Sequence, residues 1–157
     1  MKALVVYESF FGNTEKIAQA IGKGLDPQDQ VAVRRVGEVK PEHLIGLTVL
    51  AVGSPTRAFH EVPSISAFLR TMGKNSLNDV KVAAFDTRIA TQDIKAAPLR
   101  FLVNLFGYAA KPIAKKLAKK GGQPTAEPEG FLVGNTEGPL KDGELERAAE
   151  WGRRLTA

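Results

Sequence analysis

The chain has 157 residues, of which 43% are hydrophobic and 25% are charged, and its formal net charge at pH 7 is +5. These values are ordinary for a soluble globular protein, and the length suits one domain that spans residues 1–157. The absence of cysteine excludes disulfides, thiolate catalysis and cysteine-ligated metal. No apolar run is long enough for a membrane span, and the N-terminus enters the first predicted strand without room for a cleavable signal. We therefore expect a cytoplasmic protein.

The net positive charge favours acidic proteins, nucleic acid or anionic lipid as partners. No nucleic-acid-binding motif accompanies the positive charge, so we do not expect nucleic acid among them. His43 and His60 are the only histidines, and neither has an acidic cluster near it in the sequence. A metal site is therefore not expected.

The first element in chain order is a strand that passes directly into a helix. Residues 3–7 are apolar and β-branched, which predicts a strand buried on both faces. Apolar residues at helical spacing then predict a helix over residues 14–25, stopped by Asp26 and Pro27. The turn between them is short and polar and contains Gly12. Such a turn aims backbone N–H groups and the positive end of a helix dipole at one point, so we predict a phosphate-binding loop with no cationic side chain.

Neutral side chains can add donors to this loop. The hydroxyls of Ser9 and Thr14 and the amide of Asn13 are placed to do so. The loop has no Gly-Lys-Ser/Thr ending and no G-x-G-x-x-G spacing, which excludes an NTPase P-loop and a dinucleotide fingerprint. The alternative interpretation is an ordinary strand–turn–helix in which Thr14 caps the helix.

The rest of the chain alternates between strands and helices. This alternation implies a parallel sheet with helices on both faces. Residues 89–107 have no simple period and are not assigned to an element. The last helix is expected to bury Leu145, Ala148, Trp151 and Leu155 on one face. The predicted elements are a strand at 30–36, a short helix at 41–45, a strand at 48–53, a helix from residue 63, a strand at 81–85, a helix at 108–120, a broken strand at 123–133 and a helix at 140–155.

Three loops are expected to meet at the carboxyl edge of this sheet, where ligands bind in such folds. They cover residues 9–14, 53–60 and 86–92. Each follows a buried strand directly and is rich in small, hydroxylic or polar residues. The occurrence of three such loops at matching positions supports a binding site more strongly than any one loop does.

The first loop resembles the FMN-phosphate loop of flavodoxins. Tyr7 stands at the family's aromatic position and Ser9 at its hydroxyl position. Gly12, Asn13 and Thr14 form its Gly-Asn-Thr, and Ala18 stands at its alanine position. The second loop, Gly-Ser-Pro-Thr at 53–56, is similar to the Gly-x-Pro-Thr of flavodoxins and of related flavodoxin-like quinone reductases. The resemblance implies a flavodoxin-like α/β fold, which is a doubly wound five-stranded parallel sheet of order 2-1-3-4-5 with helices on both faces. It also implies FMN as the cofactor.

The resemblance further implies which residues bind FMN. In the third loop it is weak, because that loop lacks glycine and no tyrosine follows before Tyr108. The outer face of the flavin ring is therefore expected to meet Phe101, Phe106, Tyr108 or a second protein. The implied FMN-binding residues are Ser9, Phe10, Phe11, Gly12, Asn13 and Thr14 in the first loop, Ser54, Pro55, Thr56, Arg57, Ala58 and Phe59 in the second, and Asp86, Thr87 and Arg88 in the third.

Several of these residues have a plain structural alternative. Arg57 can be a solvated surface charge, and Phe59 can pack under the next helix. Asp86 can form an ion pair with Arg88 or cap a loop N–H. In the other interpretation, Asp86 and Thr87 form hydrogen bonds with the flavin's pyrimidine edge or ribityl chain.

The resemblance implies an FMN-binding carrier that moves one electron at a time between redox partner proteins with acidic docking surfaces. Two alternatives stay open, an FMN-dependent NAD(P)H:quinone reductase and a flavin-free interaction module on the same fold. Residues 96–120 combine an apolar segment with a basic helix face. That face is either solvated or docks an acidic partner or an anionic membrane. Its lysines are Lys111, Lys115, Lys116, Lys119 and Lys120.

Overall fold

The computed structural model describes residues 1–25, 30–57 and 59–157, without the side chains of residues 103–106. The expectations for Ala58, for the Phe106 side chain and for a helix stop at Asp26 and Pro27 lie outside the described residues.

A parallel sheet forms the centre of the molecule. Its strands run in the order β2-β1-β3-β4-β5, and β6 also pairs with β4. The predicted α/β class and the order 2-1-3-4-5 are confirmed, and the broken last strand consists of β5 and β6. The strands are β1 (Lys2–Tyr7), β2 (Gln30–Arg35), β3 (Val49–Pro55), β4 (Lys81–Ile89), β5 (Gln123–Pro124) and β6 (Glu129–Val133).

Helices cover both faces of the sheet because its strands are apolar on both sides. In β1, Leu4 and Val6 belong to one buried core, while Ala3 and Val5 belong to the other. This alternation follows from the two-residue period of a strand. The first core also contains residues of α2 (Pro63–Thr71) and α4 (Ala110–Lys119), and the second contains residues of α1 (Asn13–Gly24) and α5 (Glu144–Arg154).

The core under α1 and α5 is built around three aromatic rings. Phe85, Phe131 and Trp151 pack edge to face, with centroids 6.1–6.4 Å apart. At Gly24, a Cβ atom would lie 2.0 Å from the Ala149 carbonyl oxygen, so only glycine allows α1 and α5 to approach this closely. This packing fixes α1, and with it the loop that precedes α1.

The structure differs from two sequence expectations, at β4 and at Leu145, and it assigns an element within residues 89–107. Strand β4 continues to Ile89 rather than ending at residue 85, because β6 pairs with it as far as the Ile89–Val133 pair. A helix, α3 (Ala97–Phe106), occupies part of the unassigned segment. Leu145 is 43% exposed, because Glu144 takes the inward position in the first turn of α5.

The other segments are short. Single 3-10 turns occur at Val36–Glu38, Pro41–Leu44 and Thr91–Asp93, and the second of these is the short helix predicted from Pro41. Over the described residues, no helix combines the length and the apolar character needed to cross a membrane.

Candidate functional site

A cavity of about 220 Å³ lies at the carboxyl ends of the central strands, where residues from all three predicted loop segments meet. Sequence reasoning missed two of its lining residues, Val133 and Thr136. A third, Ile89, lies in the predicted third loop but is not among the residues implied to bind FMN. Applying the strand-end rule to the last strand as well would have indicated Val133 and Thr136. The cavity is lined by Ser9, Phe10, Phe11, Asn13, Thr14, Pro55, Thr56, Arg57, Thr87, Arg88, Ile89, Val133 and Thr136.

The first loop is closed by its own hydrogen bonds. Gly12 is the N-cap of α1 with φ of +89°, a left-handed conformation that favours glycine. Its N–H donates to the Ser9 Oγ at 3.0 Å. The Lys16 N–H donates to the Gly12 carbonyl at 3.1 Å, and the earlier N–H groups of the helix have no intrahelical acceptor. These N–H groups are available to an anion at the cavity.

Thr14 connects this loop to β4. Its hydroxyl oxygen lies 2.8 Å from that of Thr87, and both residues are buried. One hydroxyl must donate to the other, so the pair keeps one hydroxyl hydrogen for a further acceptor. The structure thus brings together one residue of the first predicted loop, 9–14, and one residue of the third, 86–92.

Asn13 holds the segment after β6 over the cavity. Its Nδ2 donates to the Glu137 carbonyl at 3.1 Å. A Cβ atom at Gly138 would lie 2.8 Å from the Asn13 Oδ1, so this segment packs closely on the amide. The amide is therefore used within the protein, and it explains how Thr136 comes to line the cavity.

A cationic side chain from the second loop, Arg57, borders the aromatic residues of the first loop. The Arg57 guanidinium carbon lies 5.1 Å from the centre of the Phe10 ring and 5.7 Å from that of Phe11. The two rings are 53% and 48% exposed, and Arg57 is also exposed. These cation–π contacts place positive charge at the mouth of the cavity.

The second loop turns sharply after Arg57. Arg57 and His60 exchange two backbone hydrogen bonds of 2.9 Å, and Phe59 between them has φ of +71°. Phe59 is partly buried and lines a second cavity of about 490 Å³ that shares Thr56, Arg88 and Ile89 with the first. The other residues that line this second cavity are Asp93, Ile94, Lys95, Ala96, Leu99, Tyr108, Gly134 and Asn135.

Two of the aromatic residues expected at the outer face of a flavin ring, Phe101 and Tyr108, lie in different places. Tyr108 lines the second cavity, and its hydroxyl donates to the Ile89 carbonyl at 3.0 Å. Phe101 is 66% exposed and is not among the described residues that line either cavity. Tyr108 is therefore held in place at the cavity, while Phe101 faces solvent.

Asp86, which is buried, and Arg88, which is partly exposed, form an ion pair in β4. Arg88 donates to Asp86 through Nε at 2.6 Å and through Nη2 at 2.7 Å, and the Ala110 N–H donates to the same carboxylate at 2.8 Å. Burial raises the pKa of the Asp86 carboxyl, while the Arg88 guanidinium and the Ala110 N–H favour its charged form. The guanidinium carbon lies 3.9 Å from the centre of the Tyr108 ring. Arg88 is thus fixed in position, and its charge is matched by Asp86.

Two predicted ligand contacts lie beneath the cavity surface. Asp86 and Ser54 are both completely buried. The Ser54 Oγ accepts from the Val62 N–H at 3.0 Å and donates to the Pro55 carbonyl at 2.8 Å. Both side chains therefore shape the loops in this structure, and the ligand contact that the resemblance implies for Ser54 and Asp86 stays a prediction.

Arg35 supports the first loop from the neighbouring strand. It donates to the Glu8 carboxylate at 2.7 Å and to the Ser9 carbonyl at 3.0 Å. Sequence reasoning placed this residue at a sheet edge and gave it no role at the site. Among the described residues, no group of three or more His, Cys, Asp or Glu side chains is arranged to hold a metal ion.

The arrangement suits a ligand with one anionic end and one flat apolar end. The first-turn N–H groups of α1 and the Thr14–Thr87 hydroxyl pair can donate to an anion. The adjoining cavity offers the ring of Tyr108 and the side chains of Phe59 and Leu99 to an apolar group.

No protein-family model matches the chain. Solved structures resemble it over nearly the whole of this chain. They include flavodoxin 2 from Bacillus cereus, with 21% identity, a TM-score of 0.78 and coverage of 99% of this chain and 98% of that one. A flavodoxin from the domain Archaea has 24% identity, a TM-score of 0.74 and coverage of 99% and 96%. A flavodoxin, WrbA-like protein from Agrobacterium tumefaciens has 16% identity, a TM-score of 0.72 and coverage of 98% and 94%. With its strand order and its carboxyl-edge cavity, the chain therefore has the flavodoxin-like fold.

Proposed function

We propose that this chain binds FMN in the two adjoining cavities and carries one electron at a time between redox partners. One observation carries the proposal. The N-terminus of α1, whose first N–H groups have no intrahelical acceptor, is held beside β4 by the contact of Thr14 with Thr87, at the carboxyl edge of the sheet. FMN supplies the redox chemistry when bound, and the protein supplies binding, orientation and electrostatics. The fold shared with flavodoxins supports the same assignment.

The residues present fit the two ends of FMN. The phosphate would accept from the first-turn N–H groups of α1 and from the Thr14–Thr87 pair, with Arg57 at the rim. The ring would lie in the cavity lined by Phe59 and Tyr108. The second cavity, about 490 Å³, has the volume of ligand sites, which is roughly 300–1,000 Å³, and the first, about 220 Å³, adjoins it.

The partners that we propose are redox proteins with acidic docking surfaces. The chain has a net charge of +5, and exposed cations flank the cavities at Arg57 and Lys95. A positive rim attracts acidic partners and speeds their encounter. We further propose that residues 1–157 form one domain, since one sheet supports the cores on both of its faces, and that the protein acts in the cytoplasm.

Titration of the flavin-free protein with FMN and with riboflavin tests the assignment. Flavin fluorescence reports binding, and FMN is expected to bind much more tightly, because riboflavin lacks the phosphate. Equal affinity for both would contradict a phosphate site at α1. Binding of neither would favour a flavin-free interaction module.

A second candidate function is an FMN-dependent NAD(P)H:quinone reductase. It is favoured by the size of the second cavity, about 490 Å³, and by its apolar wall at Phe59, Leu99 and Tyr108, which would admit a further flat ring. Mixing the FMN-loaded protein with NADPH and a soluble quinone separates the two functions. Steady turnover supports the reductase, and reduction only by a partner protein supports the carrier.

A further inference from the structure

A basic groove of about 240 Å³ lies between α2 and α4, apart from the two cavities described above. We define it by the described residues that line it, none of which is acidic. They are Leu69, Arg70, Lys74, Lys116, Lys119 and Lys120.

The groove lies at the edge of the sheet opposite the candidate FMN site. Helix α4 begins beside the site, where the Ala110 N–H donates to Asp86, and it ends near the start of β4, where the Gln123 N–H donates to the Val80 carbonyl. Strand β4 has nine residues. At about 3.3 Å per residue, it separates the two edges by roughly 25 Å. Most of the groove therefore lies away from the cavities, although its Lys116 pairs with Glu61, two residues after Phe59.

Most of the groove's charge has no counter-charge in the described part of the chain. Lys116 pairs with the buried Glu61 carboxylate. Burial raises the pKa of Glu61, but hydrogen bonds from Lys116 and Ser66 outweigh it and keep the pKa below its ordinary value. The Lys120 ammonium donates to the Met72 carbonyl at 2.6 Å, which is a neutral partner.

The remaining cations have no such partner. Over the described residues, Arg70, Lys74 and Lys119 form no ion pair. With Lys120, this leaves four like charges around one groove. Such a cluster repels itself, and a bound polyanion would relieve that repulsion.

We propose that this groove binds a linear chain of two or more phosphoryl groups, either free polyphosphate or the phosphate chain of a nucleotide. One guanidinium fork can hold a phosphoryl group with two hydrogen bonds, and lysines act as point charges on its neighbours. The volume suits a small ligand with several charges better than a protein surface. This proposal is independent of the proposed FMN function, since the groove and the cavities share no described lining residue.

Calorimetric titration with tripolyphosphate at low salt tests the proposal. Lys119→Glu is expected to weaken binding about tenfold or more, because it replaces an attractive charge by a repulsive one. The matched control is Lys23→Glu, since both lysines are exposed and lie in the last turn of a helix, and both variants lower the net charge equally. Lys23→Glu is expected to change the affinity less than twofold.

Further titrations identify the source of the ligand and exclude other sites. ATP binding like tripolyphosphate would indicate a nucleotide, and weaker ATP binding would indicate free polyphosphate. Equal losses in the two lysine variants would show a response to net charge alone and would overturn the proposal. So would a loss in Thr14→Ala with none in Lys119→Glu, because the anion would then lie at α1. Tighter binding of poly-glutamate or RNA than of tripolyphosphate would also overturn it, in favour of a macromolecular partner.

Discussion

The hydroxyl oxygens of Thr14 and Thr87 lie 2.8 Å apart in a buried contact between the first turn of α1 and strand β4. The two residues are 73 positions apart in the chain. The contact fixes the helix N-terminus relative to the strand, so any anion bound there has a fixed position relative to the second cavity.

Removing either hydroxyl is expected to weaken FMN binding. Thr14→Ala should cost about 1–2 kcal/mol, and Thr87→Ala should also weaken binding because Thr14 loses its partner. The double variant should lose less than the sum, since the two hydroxyls act together. Fluorescence titration measures each step, with Thr156→Ala as the control near the C-terminus. Strictly additive losses would mean that the pair does not act as one unit at the ligand.

Gly12 tests the backbone of the first loop. Its φ of +89° is strained for other residues, although a Cβ atom there would meet nothing within 4 Å. Gly12→Ala should therefore destabilise the fold by about 1–2 kcal/mol through strain alone and weaken FMN binding as well. Gly12→Val should weaken FMN binding further, by blocking close approach of the phosphate. The control is Gly37→Ala, which has equal space and an ordinary φ, and it should change the unfolding free energy by less than about 0.5 kcal/mol. Equal effects at the two glycines would contradict the left-handed turn.

Much of the fold could be predicted because its signals are local. The β-branched run at β1 and the helical spacing in α1 depend only on neighbouring residues. The length of β4 could not be predicted in this way, because it depends on distant partners. Residues 86 and 87 pair with both β3 and β6, and residues 88 and 89 pair only with β6, more than 40 positions later. The helix α3 was missed because Pro98 and a mostly apolar composition obscured its helical period, although Arg100 and Asn104 are four positions apart, as on one face of a helix.

In the candidate site, too, the features set by neighbouring residues could be predicted and those set by distant contacts could not. The loop at 9–14 was indicated by its own residue types. In contrast, the contact of Asn13 with Glu137 spans 124 positions, and nothing near either residue indicates it. The pairing of Asp86 with Arg88 was foreseeable as an alternative, because residues two apart in a strand point to the same face.

Breaking the ion pair in β4 should be costly. Arg88→Met leaves the fully buried Asp86 carboxylate without its bidentate partner, and we expect a loss of about 3–5 kcal/mol in the free energy of unfolding. The control is Arg153→Met, because the pair of Arg153 with Glu150 is about 60% exposed on both sides and should contribute less than about 1 kcal/mol. Urea denaturation measures both variants. A small loss for Arg88→Met would mean that water reaches Asp86.

Glu144 should make stability dependent on pH. Burial raises the pKa of Glu144, but hydrogen bonds from Arg147 and from the Leu132 N–H outweigh it, and the pKa lies below its ordinary value of 4.5. A lowered folded pKa stabilises the protein above about pH 4.5, and this contribution is lost as the pH falls through the folded pKa.

The Glu144→Gln variant should therefore be less stable by about 1–3 kcal/mol at pH 7, and its difference from the parent protein should shrink as the pH falls below about 4.5. Glu150→Gln is the control, since its carboxylate is 60% exposed. Denaturation curves at several pH values give the comparison. A difference for Glu144→Gln that stays constant from pH 7 to pH 3 would show that the charge of Glu144 does not contribute.

The last prediction concerns Arg57 and the reduction potential of bound FMN. The second one-electron step adds negative charge to the flavin at neutral pH, and a nearby cation favours that charge. Arg88 is matched by Asp86. Arg57 is exposed at the cavity rim, its guanidinium lies against the Phe10 and Phe11 rings, and it forms no ion pair with any residue that the structure describes. Arg57→Glu should therefore make the second potential more negative, and the shift should shrink at high salt because the side chain is exposed.

Stepwise redox titration of the parent protein and of Arg57→Glu, each at low and high salt, measures this shift. The control is Arg153→Glu on α5, which changes the net charge equally at a residue that lines neither of the cavities over the described part of the chain. A shift seen equally in both variants would reflect net charge alone. If the potential does not move in Arg57→Glu, then Arg57 does not face the flavin. Phe59, which lines the second cavity, would then be the better candidate for the ring contact.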